Sequence, residues 1–234
     1  MARALSPRQL PLDLAYEEGR SRDDLVVTPA NEVAVGLVES WPDWPAAVVV
    51  LAGPMGSGKT HLGEIWCDQC GAFSVSATAI EAEAMAAAEH GPVFIDDADS
   101  PLLDETGLFH LINTVRSSHT HLLLTARHLP SAWGVKLPDL LSRLRAAAAV
   151  EMREPDEMLL AGVIVKLFAD RQVSVEPHVV QFILRRMERS LSAAQRIVER
   201  LDRVALERKI RISRALASEI LDEMDWGQQG RLDL

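Results

Sequence analysis

The chain has 234 residues, 48% of them hydrophobic, which is enough to bury the core of one large α/β domain and a small second one and excludes a disordered chain. Its net charge of −10, with a pI near 5.2, argues against a protein whose main business is coating DNA, because Lys and Arg supply most non-specific affinity for phosphates. Proteins are the partners to expect first, and with no apolar run of about 18 residues and no secretory signal after Met1, the expected location is the cytoplasm.

Residues 1–32 read as an irregular arm and connector, punctuated by Pro7, Pro11, Gly19 and Pro29. Within the arm stands Gln9-Leu10-Pro11-Leu12-Asp13-Leu14. Pro11 disfavours helix, and in an extended chain alternation puts Leu10, Leu12 and Leu14 on one side, with Gln9 offering a directional hydrogen bond. Apolar alternation on an otherwise polar arm points to a groove on a partner; the bland alternative is an arm packed on its own domain.

From 33 to 153, short apolar runs alternate with helix-like stretches: Ala46–Ala52, Phe73–Ser76, Val93–Asp96, His121–Thr125 and Ala147–Met152. That alternation predicts a mostly parallel sheet with crossover helices. The first run closes on Gly53-Pro54-Met55-Gly56-Ser57-Gly58-Lys59-Thr60, a P-loop in the strand context the motif requires. Gly53, Gly56 and Gly58 let the backbone turn its N–H groups on one anion at the positive end of the next helix. Lys59 would reach the β- and γ-phosphates, and the Thr60 hydroxyl would ligate Mg²⁺.

The strand Val93–Asp96 ends in Asp96-Asp97, at the usual ligand position of an open α/β sheet. Asp96 is read as a metal residue beside Thr60, holding Mg²⁺ through water, and Asp97 as the group that orients or deprotonates an attacking water. The run His121–Thr125 ends in a hydroxyl, which either senses the γ-phosphate or only forms a turn. Cys67 and Cys70 form a C-x-x-C late in the post-P-loop helix and read as incidental thiols, since no second ligand pair completes a zinc site. Leu137–Arg145 reads as a short helix carrying Arg143 and Arg145.

After Pro155 the pattern is helical over 156–171, 177–187, 189–206 and 213–224; in the third, Leu191, Ala194, Val198, Leu201 and Ala205 recur at three- and four-residue steps. Residues 154–226 form a small all-helical domain, Ser213 is a plausible N-cap, and 227–234 is a fraying tail.

The P-loop, the Asp96-Asp97 strand, the segment Leu137-Pro-Asp-Leu-Leu-Ser-Arg-Leu144 and Arg189-Ser-Leu191 together resemble the AAA+ module of the bacterial replication initiator DnaA, and most closely its short paralogues of the Hda type, which inactivate the initiator. The resemblance runs from about residue 9 to residue 224. It implies an α/β AAA+ P-loop NTPase fold with a parallel-sheet base domain and a helical lid, binding ADP or ATP with Mg²⁺. By this resemblance Arg143 is the finger presented to a nucleotide on a neighbouring subunit, and Arg189 is the second sensor, on the phosphates of its own nucleotide. The segment Leu25–Asn31, with Val26 and Val27, resembles the adenine-side strap, and His61 belongs with the P-loop residues around the cofactor. The hexapeptide 9–14 resembles the Q-L-x-L-x-L peptide that binds the sliding clamp, the DNA polymerase III beta subunit.

The chain also departs from that pattern: Thr125-Ala126-Arg127 leaves open which residue is the first sensor, and Arg145-Ala-Ala-Ala-Ala149 replaces an aromatic, glycine-rich step. The chain stops about ten residues after its last helix, so no helix-turn-helix DNA reader is expected. The function implied is a negative regulator of replication initiation that docks on DNA-loaded clamp and stimulates hydrolysis of DnaA-bound ATP, working at the nucleoid or replisome. A nucleotide-locked clamp adaptor and an initiator-like protein or helicase loader are the alternatives. Nucleotide-dependent self-association is a further expectation.

Overall fold

A computed structural model describes Arg22 and residues 25–229. Five strands, β1 (Val48–Ala52), β2 (Phe73–Ser76), β3 (Val93–Asp96), β4 (Leu122–Ala126) and β5 (Ala148–Glu151), pair in parallel in the order β2-β3-β4-β1-β5. The expected α/β architecture with a parallel sheet is therefore present. The helices among the described residues are α1 (Glu32–Glu39), α2 (Lys59–Cys70), α3 (Ala82–His90), α4 (Glu105–Ser117), α5 (Pro138–Arg145), α6 (Glu157–Asp170), α7 (Pro177–Leu184), α8 (Leu191–Arg208) and α9 (Arg214–Gln229).

Both faces of the sheet are covered, so its central strands are apolar throughout. Side chains alternate across the sheet: Val48, Val50, Leu122 and Leu124 enter a core with Leu108, Leu111 and Ile112 of α4, while Val49, Leu51 and Leu123 enter one with Leu62 and Trp66 of α2 and Val35 and Val38 of α1. The edge strands β2 and β5 keep exposed positions, because each has a neighbour on one side only.

Two elements differ from the sequence reading. No element is expected over Glu32–Glu39, where the structure has α1: eight residues burying only Ala34, Val35 and Val38 give too short a periodic signal to stand out. The last helix, read as ending at 224 before a fraying tail, continues to Gln229. Gly227 is the one poor helix former in that extension and no proline stops it.

The chain divides into two compact units. Among the described residues, the sheet unit holds everything to Leu160 together with Arg189–Leu191; the helical unit holds Ala161–Glu188 and the chain from Ser192 on. The helical unit has its own core, with Ile164, Phe168, Val180, Ile183, Val198, Leu201 and Ile220 buried. In the sheet unit, Asp156 caps α6 by accepting the Leu159 N–H at 2.7 Å and also accepts the Thr28 hydroxyl at 3.2 Å.

Candidate nucleotide site

Because all five strands run the same way, their carboxyl ends share one edge, and β4 lies between P-loop strand β1 and acid-bearing strand β3. The loop leaves β1 with the Gly53 N–H donating to Ala126 O of β4 at 3.1 Å. Gly56 has φ 76°, and a Cβ there would stand 2.4 Å from Cβ of Ser190, so both backbone conformation and close approach require glycine. The Leu191 N–H donates to Gly56 O at 2.9 Å, so the Arg189-Ser190-Leu191 stretch is seated on the P-loop.

Gly58, at the N-cap of α2, supplies no side-chain cap, and the first-turn N–H groups of that helix keep their positive end open for an anion. Lys59 is buried, with 6% of its surface exposed, and its Nζ donates to Pro54 O at 2.8 Å and Ser57 Oγ at 3.4 Å. Burial lowers the Lys59 pKa below the usual lysine range, against the raising charges of Asp97, Asp96 and Asp99. Met55 is exposed at the tip of the loop beside exposed Pro54, and His61 is half-buried on the first turn of α2.

The acids form a connected network. Thr60 Oγ1 donates to both carboxylate oxygens of Asp96, at 3.0 and 3.2 Å, and Thr125 Oγ1 donates to Asp96 Oδ1. The same Thr125 oxygen accepts the Asp97 N–H at 3.0 Å. Thr125, expected either to sense the γ-phosphate or to form a turn, here bridges Asp96 and Asp97. It has 0% exposure, and its hydroxyl positions Asp96 and Asp97. Asp97 has φ 50° and projects into solvent, and its carboxylate makes no hydrogen bond or ion pair among the described residues, which leaves it available to water.

Sequence reasoning missed Asp99. Its Oδ2 accepts the N–H groups of Arg127 and His128 at 3.1 and 3.2 Å and contacts His128 Nδ1 at 2.9 Å, tying the segment after β3 to the segment after β4. Burial alone would raise its pKa; the Arg127 and His128 bonds outweigh burial and lower it. Only an Asp two positions past Asp97 hinted at this, and an acid in a turn is common.

Thr60 and Asp96 fit Mg²⁺. One hydroxyl and one carboxylate are a sparse set, but Mg²⁺ keeps several waters and takes its other ligands from substrate phosphates. No group of three or more His, Cys, Asp or Glu able to hold a metal occurs among the described residues. Cys67 lies on α2, and burial, reinforced by Cys70, pushes its thiol up to about 12, far from thiolate reactivity at neutral pH.

Of the remaining expected residues, Val26 and Val27 lie in a segment pinned by Asn31, whose Nδ2 donates to Val26 O at 2.9 Å and whose Oδ1 accepts the Thr28 N–H at 2.8 Å. Val27 is 44% exposed. Arg189 is exposed. Arg143 is half-buried in the last turn of α5, which Leu140 and Leu144 anchor in the core, and Glu105 accepts the Lys136 and Leu137 N–H groups at the start of that helix. Arg143 makes no hydrogen bond or ion pair among the described residues, so the structure does not join it to the phosphate end. Residues 9–14 lie outside the described residues.

No protein-family model matches the chain. A protein of Haemophilus influenzae without an assigned function is 27% identical over 183 residues, 73% of this chain and 79% of that one. Domain III of the Thermotoga maritima replication initiation protein DnaA superposes with a TM-score of 0.72 at 16% identity, covering 87% of this chain and 96% of that domain. The fold is that of AAA+ proteins. The Thermotoga maritima RuvB Holliday junction branch migration motor matches with a TM-score of 0.68 at 20% identity, over 87% of this chain and 71% of that one. AMPPCP-bound DnaA from Aquifex aeolicus matches with a TM-score of 0.64 at 18% identity, over 80% and 67%. At these identities the likeness establishes the fold alone, one this chain shares with DnaA domain III and with RuvB. No helix among the described residues is long and apolar enough to cross a membrane.

Proposed function

We propose that the protein is a negative regulator of DNA replication initiation. It binds ADP or ATP with Mg²⁺, docks through Gln9–Leu14 on the DNA-loaded sliding clamp, and stimulates hydrolysis of ATP held by DnaA by presenting Arg143 in trans. Gly53–Thr60 cradle the phosphates, with Lys59 leaving its internal acceptors for the β-phosphate. Thr60 and Asp96 hold the metal, which when bound offsets phosphate charge. The strap at Val26 and Val27 lies on the adenine side, and Arg189, on the stretch seated against Gly56, meets the phosphates of the same nucleotide. The work is cytoplasmic, at the nucleoid or replisome.

The observation that carries this reading is the state of Arg143. A guanidinium without a hydrogen bond or ion pair among the described residues, on a helix whose start is clasped by Glu105 and whose Leu140 and Leu144 are buried, is held for something outside the chain. Likeness to a DnaA domain and to AMPPCP-bound DnaA supports the choice of partner and nucleotide. An arginine supplied in trans stabilises charge developing on a transferred phosphoryl group, an effect on the order of 10³ to 10⁵ in rate in GTPase systems.

The test is a reconstitution of purified protein, clamp-loaded DNA and ATP-bound DnaA, following conversion of the bound ATP to ADP. Arg143→Ala should bind nucleotide and clamp normally yet lose most of the stimulation, and Arg143→Lys should also fail because a point ammonium cannot reproduce the planar fork. Replacing Leu12 and Leu14 by Ala should remove clamp binding and leave nucleotide affinity unchanged. Full stimulation by Arg143→Ala sinks the finger and leaves a clamp-tethered adaptor as the better account.

A further inference from the structure

The turn between α8 and α9 carries a concentration of positive charge that the nucleotide site does not use. Arg208–Arg214 contains four cations, Arg208, Lys209, Arg211 and Arg214, and no carboxylate, in a chain whose net charge is −10. Arg208 is neutralised, donating to both carboxylate oxygens of Glu219 at 2.9 and 2.7 Å. Lys209, Arg211 and Arg214 are exposed and make no ion pair among the described residues. Arg214 places its guanidinium 4.8 Å from the ring centroid of Phe182 on α7, and Arg186 lies 5.7 Å from the same ring. Arg185, next to Arg186, is also exposed and makes no ion pair among the described residues. Arg186 is neutralised by Asp222 at 2.7 Å, so it is Arg214 at the start of α9 that extends the charge of the turn into a basic face of the helical unit.

We propose that this face, centred on Lys209, Arg211 and Arg214, binds the phosphodiester backbone of nucleic acid without regard to sequence. Spread rather than convergent cations suit a repeating polyanion, and the Arg214 guanidinium, lying on the Phe182 ring, can turn its N–H edge to phosphate oxygens. A protein partner would call for an apolar centre to the patch. Here the only large apolar side chain exposed on the turn is Ile210, at 47%, whereas Ile212 is buried at 7% and holds the turn to the core. The acidic remainder of the chain does not cancel the contact, because charges more than about 8 Å away are largely screened at physiological salt. Three or four phosphates give weak binding alone, so the face adds to tethering by another part of the protein and does not replace it.

Fluorescence anisotropy of the full chain against random-sequence oligonucleotides, single-stranded and duplex in separate arms, over a series of salt concentrations tests this. Binding should weaken with salt at roughly 0.7 to 0.9 logarithmic units per phosphate contacted. Lys209→Glu with Arg211→Glu should weaken binding at least about tenfold and flatten the salt slope by about two contacts, while thermal melting and nucleotide affinity match the parent. Both positions are exposed on a turn, so the reversal leaves the packed core alone. An unchanged slope in the variant overturns the proposal, as does absence of salt-sensitive binding by the parent. Binding to phosphatidylglycerol vesicles with none to either oligonucleotide also overturns it, and assigns the face to a membrane surface.

Discussion

The two units hold charge in opposite ways. At the carboxyl ends of β3 and β4 the polar groups form one connected network, Thr60 to Asp96 to Thr125 to the Asp97 N–H, with Asp99 beside it and its side chain only 7% exposed. The helical unit holds much of its charge in solvent-facing pairs: Arg208 with Glu219, Arg200 with Glu223 and Arg203 with Glu199 stand with 42 to 58% of each side chain exposed, while Arg171–Asp202 and Lys166–Asp170 are more covered. The same residue types therefore carry different weight. A buried group stripped of its partner pays the full desolvation cost, whereas an exposed one regains water.

That contrast breaks most sharply at Lys59. Lys59→Ala removes the buried cation that we propose meets the β-phosphate, and since a hydrogen bond to a charged group contributes about 1.5 to 3 kcal/mol, ADP affinity measured by calorimetry should fall roughly ten- to a hundredfold. Parent-like affinity in a folded variant would remove the nucleotide site. Next comes Thr125→Val, nearly the same shape without the hydroxyl. It leaves the part-buried Asp97 N–H without its acceptor and Asp96 without the donor buried beside it, so unfolding free energy should drop by about 1 to 3 kcal/mol in a denaturant titration. A loss no larger than that of an exposed residue would mean the network is not a unit.

Asp99 makes the pH arm of the comparison. Its folded pKa lies below the ordinary 3.8, so the stability it supplies is present above that value and is lost as pH falls through the folded value. The stability gap between parent and Asp99→Asn, read by thermal melting, should therefore hold from neutral pH down to about pH 4 and narrow below it. A gap independent of pH would assign Asp99 a packing role alone. The smallest effect belongs to Arg208→Ala, where both partners are exposed in a salt-screened pair; its melting temperature should match the parent's at 0.15 M salt. A clear fall there would show that the helical unit depends on its surface charges after all.

Much of the fold was legible because its signals are local. The strands β2 and β3 appear in the sequence with their observed limits, since each is a run of four residues ending where Ser76 and Asp96 turn polar. Helix α1 was invisible because eight residues burying three small side chains carry little periodicity. The surroundings of Thr125 were illegible for a different reason: a strand-ending hydroxyl looks alike whether it faces a ligand or a carboxylate. What it faces depends on Asp96 and Asp97, 29 and 28 positions away in the chain.

The sequence by itself determined the phosphate cradle and the acid-bearing strand, because strand, glycine turn and helix start are contiguous and each is set by backbone sterics or by an apolar run that stops. It also determined that the sheet is parallel, through the alternation of strand with helix. Only the tertiary structure decided that β4 inserts between β1 and β3, that Thr125 is spent on Asp96 and Asp97, that Asp99 bridges to Arg127 and His128, and that Arg189–Leu191 settles on Gly56. Those are pairings between distant segments. A run such as Val48-Val-Val-Leu-Ala52 packs equally well beside any apolar neighbour, so strand order, and with it which polar ends meet, follows from the packing of the whole sheet and its helices.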